Sequence, residues 1–348
     1  MGYTRFTAMS IEDQIEQLRR TVDSIDGFED KFMSDIMKEE LERSTFYGSH
    51  MDRNHSGLSQ EDMIKRLLHD KVVGSSSYAS QEQAHEIVKE MLYAKAKEIV
   101  QFINMGELDS HIIDKFNLKV KTEIYENRKI DKLVLDEEIE AEDPDEIPYV
   151  ATGITNDFRY MGTNVSRMIV VKAPLNDMNF RILTCIPLVD KGVQLEPKSK
   201  TLEKINKVLI NDDRLSDTEK SMWLYKEMGY QTFRIGDTGA IGVMFDVNGH
   251  TFSLKLNETS FGRKSPFVSL KTEKGYENAF TTEKIDEATR HEATKKANEL
   301  VESVYNKVVL GNIKFVSDEI IKNEKNREKI IENQKDKSNN NILDADIR

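Results

Sequence analysis

The sequence predicts an α+β fold, and three observations carry that expectation. Apolar residues recur at a helical period from Ala84 to Ile103. Two β-branched, apolar runs, "SRMIVVKA" and "FRILTCIPL", flank the turn-rich "PLNDMN" and read as a hairpin. A second set of strand-like runs, beginning at "YQTFRIGD", leads into another long amphipathic helix near Thr282.

The 348 residues suggest two domains, or one domain with appendages. Hydrophobic residues make up 38% and charged residues 32%, enough for a core beneath a heavily charged surface. The net charge is −12 and the sequence pI about 5.3. Wholesale nucleic-acid binding needs clustered Lys and Arg to neutralise phosphates, and this balance does not suit it. An enzyme that touches a few phosphates at one cleft stays open. Cys185 is the only cysteine, so neither an intramolecular disulfide nor a cysteine-based zinc site is expected. That fits a reducing interior or a fold that needs no staples. "MGYTRFTAMSIEDQIEQLRR" lacks the apolar core of a signal peptide, and no stretch approaches the roughly 18 apolar residues of a membrane helix. The expectation is a cytoplasmic protein with no membrane partner.

Ser10 is placed to cap a helix in which Ile11, Ile15, Leu18, Val22 and Ile25 form a short seam that Gly27 ends. A second helix carries Phe32, Met33, Ile36, Met37 and Leu41 on one face. This hairpin either packs on its own domain or serves self-association or tethering. Ser59 and Asp62 stand at capping-box spacing before Met63, Ile64, Leu67 and Leu68. "GSSSYAS" reads as a break. Ser80 and Gln83 then cap one long helix through Ile103. Past Gly106 the chain turns to strands and loops, and "DEEIEAEDPDEIP" (136–148) reads as an acidic loop. That loop is either solvated or folded over a cationic cleft as a phosphate mimic. Residues 200–229 look helical, Asn248-Gly249 marks a two-residue hairpin turn, and residues beyond about 322 read as frayed helix and then disorder.

Few residues are arranged for chemistry. His50 and His55 are five apart on a loop, not on one helical face, and no further ligand cluster joins them, so no metal site is expected. "GDTGAIG" has no lysine and no following helix, and reads as a turn between strands rather than a phosphate loop. Basic residues are dispersed among acids without interleaved aromatics. What remains is His55, Arg66 and the strand "ILTCIP".

"GSHMDRNHSGLSQEDMIKRLL", "SSSYASQEQAHEIVKEMLYAKAKEIVQFI" and "MIVVKAPLNDMNFRILTCIP" together resemble the bacterial ribonuclease A-like toxin domain, found at the C-termini of contact-dependent inhibition and other polymorphic toxins. The resemblance covers about residues 48 to 190. It implies a ribonuclease A-like domain over 48–192 with an acidic insertion near 131–148. An N-terminal helical hairpin (1–47) and a C-terminal α+β domain of open role (193–322) would flank it, followed by a charged tail (323–348). It places His55 at the catalytic histidine, Arg66 at the catalytic arginine and Thr184 at the family threonine. The family tyrosine two residues later is Ile186 here, and Tyr78 or Tyr160 could supply a hydroxyl instead. The implied activity is a metal-independent RNase without cofactor, cleaving RNA by 2′-hydroxyl attack to a 2′,3′-cyclic phosphate. Its partners would be RNA and an immunity or other protein, with no DNA. The rival expectation is a non-catalytic interaction module of a phage or other mobile element that keeps the scaffold, which Ile186 and the acidic balance favour.

Overall fold

The computed structural model describes residues 6–27, 30–37, 51–70, 72–106, 110–125, 128–140, 149–172, 178–262 and 266–345. His50, Leu41, the acidic residues 141–148 and most of "PLNDMN" lie outside them. Helices and antiparallel sheets both form, in an α+β arrangement. The chain divides into two compact units: Met1–Leu67, Val72–Asn156 and Tyr160–Leu195 form the first, and Leu68–Lys71, Asp157–Arg159 and Glu196–Arg348 the second.

In the first unit, α1 (Ile11–Asp23) starts where Ser10 Oγ accepts the Asp13 N–H at 3.1 Å, satisfying one orphan amide of the first turn. Its buried Leu18 and Val22 belong to a core shared with α5 (Gln81–Ala94) and α6 (Ala96–Asn104), so the described part of the hairpin packs on its own unit. The shorter α2 (Lys31–Met37) buries Met33, Ile36 and Met37. Two short helices, α3 (Met51–His55) and α4 (Gln60–His69), follow, and Ser59 and Asp62 cap each other's backbone at the start of α4.

The single long helix expected from Ser80 is broken at Lys95, which sits at φ −99° and ψ 15° between α5 and α6. Neither Gly nor Pro marks that break. Lys95 instead pairs with Glu137. After α7 (Ser110–Phe116) come β2 (Val120–Tyr125) and β3 (Arg128–Glu138), so the first three residues of the expected acidic loop are strand. The reason is pairing: alternate residues Leu133 and Leu135 enter the core, while Asp136 and Glu137 find Arg167 and Lys95.

Two four-stranded sheets complete this unit. One runs β1 (Ser75–Tyr78), β4 (Ala151–Ile154), β5 (Tyr160–Thr163), β8 (Val193–Gln194). The other runs β2, β3, β6 (Val165–Lys172), β7 (Phe180–Pro187), with β6 and β7 forming the expected hairpin. The second sheet buries Leu133, Leu135, Met168, Val170, Phe180 and Ile182 against the helices, and turns Ile130, Val171 and Leu183 to its other face.

The second unit is a meander of β9 (Thr232–Ile235), β10 (Ala240–Val247), β11 (His250–Leu256), β12 (Phe267–Thr272) and β13 (Gly275–Asn278), hydrogen-bonded in order. Asn248 and Gly249 have φ of 50° and 78°, the left-handed pair that a type I′ hairpin turn requires. Helices α8 (Lys198–Asn211), α9 (Asp217–Glu227), α10 (Glu287–Leu300), α11 (Asn306–Val309) and α12 (Ile313–Ala345) accompany it. Helix α12 runs through residue 345, over the charged stretch beyond residue 322. It packs along α8, where Ser199 bonds Glu328 and Lys325 meets Glu203 at 2.6 Å.

Candidate active site

The turn after α3 is fixed to β1 by its backbone. Gly57, at φ +67°, lets the chain reverse, and its N–H donates to the Tyr78 carbonyl at 3.0 Å. The Leu58 N–H donates to Ser77 Oγ at 2.9 Å, and Ser56 pairs with Tyr78 as a one-residue parallel bridge. "SSSY" is therefore not a break but a fully buried strand. Its serines carry no apolar signature, and two of their hydroxyls are satisfied by neighbouring backbone: Ser77 by Leu58, and Ser76 by donating to the Pro187 carbonyl at 3.2 Å.

That docking buries His55, whose Nδ1 lies 3.1 Å from the Ser76 carbonyl oxygen. A carbonyl can only accept, so Nδ1 donates and carries the proton of the neutral ring, which makes Nε2 the basic nitrogen. From α4, Arg66 donates to the carbonyl of Asn54, the residue before His55. Two of the three sequence-selected residues thus meet on one peptide.

Thr184 lies on β7, against which both α3 and β1 pack. The β6–β7 register slips by one residue between Ile169 and Val170, so Leu183 bulges and Thr184 stands opposite Ile169. Beyond the bulge the alternation is regular, with Cys185 opposite Met168 and Ile186 opposite Arg167. Thr184 and Ile186 therefore share the face turned away from the helical core. Thr184 is 4% exposed, and its hydroxyl has no hydrogen-bond partner among the described residues.

On that face Arg167 holds Asp136 through two bonds of 2.6 and 2.9 Å, with Lys191 at 3.3 Å. The Arg167 hydrogen bonds lower the Asp136 carboxyl to about 2, so it stays ionised at neutral pH. Sequence reasoning missed Arg167, which sits inside an apolar strand run. It missed Ser76 as well, because a carbonyl that orients a histidine leaves no side-chain signal.

Tyr78 does not supply the absent phenol. Its ring is fully buried, with the hydroxyl donating to Ser166 Oγ at 3.1 Å and lying 3.2 Å from Cys185 Sγ on the core side. Burial raises the Tyr78 hydroxyl well above its usual range and pushes the Cys185 thiol up to about 12, leaving both groups protonated. Among the described residues, no three His, Cys, Asp or Glu side chains come together as a ligand set, and no helix is long and apolar enough to cross a membrane.

No protein-family model matches the chain, and no curated protein does. Among solved structures it is similar to the crystal structure of a CdiA-CT/CdiI complex from Y. kristensenii, at 13% identity and a TM-score of 0.29, over 40% of this chain and 98% of that one.

Proposed function

We propose that the first unit is a metal-independent ribonuclease of the bacterial toxin type, with a ribonuclease A-like arrangement built on His55, Arg66 and Thr184. The observation that carries this reading is the Ser76 carbonyl at His55 Nδ1, with Arg66 on the adjoining peptide. A neutral imidazole held in one tautomer is a general base suited to neutral pH. In the proposed step Nε2 takes the 2′-hydroxyl proton, the 2′-oxygen forms a bond to phosphorus, and the bond to the 5′-oxygen breaks. The 5′-oxygen takes a proton from solvent water and Nε2 returns its proton to solvent, so the products are a 2′,3′-cyclic phosphate and a new 5′-hydroxyl. Arg66, a planar fork of five donors, would stabilise the charge that the phosphorane gathers. Thr184, a buried hydroxyl with no partner among the described residues, would find one in a phosphate oxygen. Substrate RNA and an immunity-type protein are the partners this reading implies.

The test is to incubate the purified chain with total RNA in EDTA and to analyse the fragment ends. Cleavage leaving 2′,3′-cyclic phosphates supports the proposal. Intact RNA at high enzyme concentration favours the rival reading, a non-catalytic interaction module of a mobile element. Ile186, on Thr184's face where the family carries tyrosine, is the residue that speaks for that rival.

A further inference from the structure

Among the described residues of the second unit, one face of the sheet is covered by helices and the other is not. Ile241, Val243, Phe252, Leu254, Val268 and Leu270 are buried on the face that meets α9 and α10. Cross-strand pairing assigns the opposite face. Phe233, Gly242, Lys255 and Phe267 form one row across four strands, and Met244, Ser253, Ser269 and Asn278 form the next. Asp246 pairs with Thr251, and Lys271 with Tyr276, on the same side.

This face is curled. β9 and β13 are opposite edges of a five-stranded sheet, four strand spacings apart, or about 19 Å if flat. Yet Phe233 and Tyr276 stack with ring centroids 6.0 Å apart and planes at 27°. Gly242 permits this, because any Cβ there would stand 2.2 Å from Phe233 Cζ. The result is a concave floor of small polar residues beneath aromatic rings. Phe267 and Tyr276 remain 48% and 51% exposed, too open to be core. A cavity of about 420 Å³ adjoins, its lining including Tyr230, Gln231, Met244, Asp246, Lys271 and Lys296.

The charges on this face favour an anion. Lys255 and Lys271 make no ion pair among the described residues, while Asp246 accepts a bond from Thr251 Oγ1 at 2.7 Å. Exposed aromatics spaced along a concave sheet, with lysines between them and hydroxyl and amide groups below, match what a single-stranded nucleic acid presents. Bases stack on ring faces, phosphates meet lysines, and base edges find polar partners. We propose that this face binds single-stranded nucleic acid, with bases on Phe267 and Tyr276 and backbone phosphates at Lys255 and Lys271. The surface is independent of the His55 chemistry. Under the ribonuclease reading it would hold the substrate strand. Sequence spacing could not show it, since Lys255, the pair Phe267 and Lys271, and Tyr276 come from three different strands.

The test uses the full chain and a fluorescently labelled 2′-O-methyl oligouridylate 12-mer, which has no 2′-hydroxyl nucleophile and so separates binding from cleavage. Anisotropy should show binding that weakens with salt. The double variant Phe267→Ala/Tyr276→Ala should lose about tenfold or more in affinity, as removal of stacking platforms does. Lys255→Gln/Lys271→Gln should flatten the salt dependence by about 1.4 logarithmic units per logarithmic unit of salt, two phosphate contacts' worth for a single strand. Unchanged melting temperatures in these surface variants keep the comparison clean, and the lysine pair gives a readout even if the aromatic pair destabilises the sheet. No binding by wild type, or an affinity equal to wild type's in both double variants, overturns the proposal. So does a change in oligomeric state on aromatic substitution without any change in oligonucleotide affinity, which would make the face a protein interface.

Discussion

Replacing Thr184 with valine should stabilise the first unit and disable it. Valine keeps the branched shape and exchanges a hydroxyl for a methyl group. At this position the hydroxyl is buried, 4% exposed, with no partner among the described residues. An unsatisfied buried donor of this kind costs about 1–3 kcal/mol. Removing it should return the lower end of that range, about 1 kcal/mol, which is roughly 2–4 °C in melting temperature for a unit of this size. The assay pairs thermal melting with initial rates of RNA cleavage. The rate should fall by about 10², the worth of one hydrogen-bonding group that acts on developing charge. A structural hydroxyl would behave in the opposite way. A less stable Thr184→Val variant with undiminished cleavage would refute the reasoning, because the hydroxyl would then have been bonded within the fold and idle in catalysis.

Two further outcomes follow from the same geometry. Ile186→Tyr should gain cleavage activity, by roughly thirtyfold or more if the phenol bonds the phosphorane, and His55→Ala should abolish the gain; a stable variant with no gain would favour the interaction module. In the second unit, burial pushes the fully buried Glu227 up to about 8, with Asn206 and Lys198 opposing that rise. Its folded value lies above its unfolded one, so stability is fully present below about pH 4.5 and is lost as pH rises through 8. Glu227→Gln should flatten that leg of a stability–pH curve measured by denaturant melts, and an unchanged slope between pH 5 and 9 would contradict the assignment.

Much of the local structure was legible because single residues dictate it. Ser10, Ser59 and Ser80 cap helices where their hydroxyls meet orphan amides, and Asn248-Gly249 supplies the left-handed pair of a two-residue hairpin turn. What escaped depends on partners distant in sequence. A serine run became a strand because Leu58 and Pro187 satisfy the hydroxyls of Ser77 and Ser76. Asp136 and Glu137 became strand because Arg167 and Lys95 face them. His55 and Arg66 were readable as neighbours, eleven residues apart across one turn. The carbonyl that sets the histidine's tautomer comes from 21 residues away and shows no side-chain pattern. Counting alternate positions along β7 gave the right face for Ile186 only because the bulge at Leu183 lies before Thr184 rather than after it.

The account stands on His55 as the base. Wild type and His55→Ala, purified identically, should be compared for RNA cleavage in EDTA at neutral pH, with the two melting temperatures recorded alongside. The account predicts that His55→Ala remains folded and loses about 10²–10⁴ in rate, the contribution of a positioned general base. A folded His55→Ala variant that cleaves RNA as fast as wild type would contradict it.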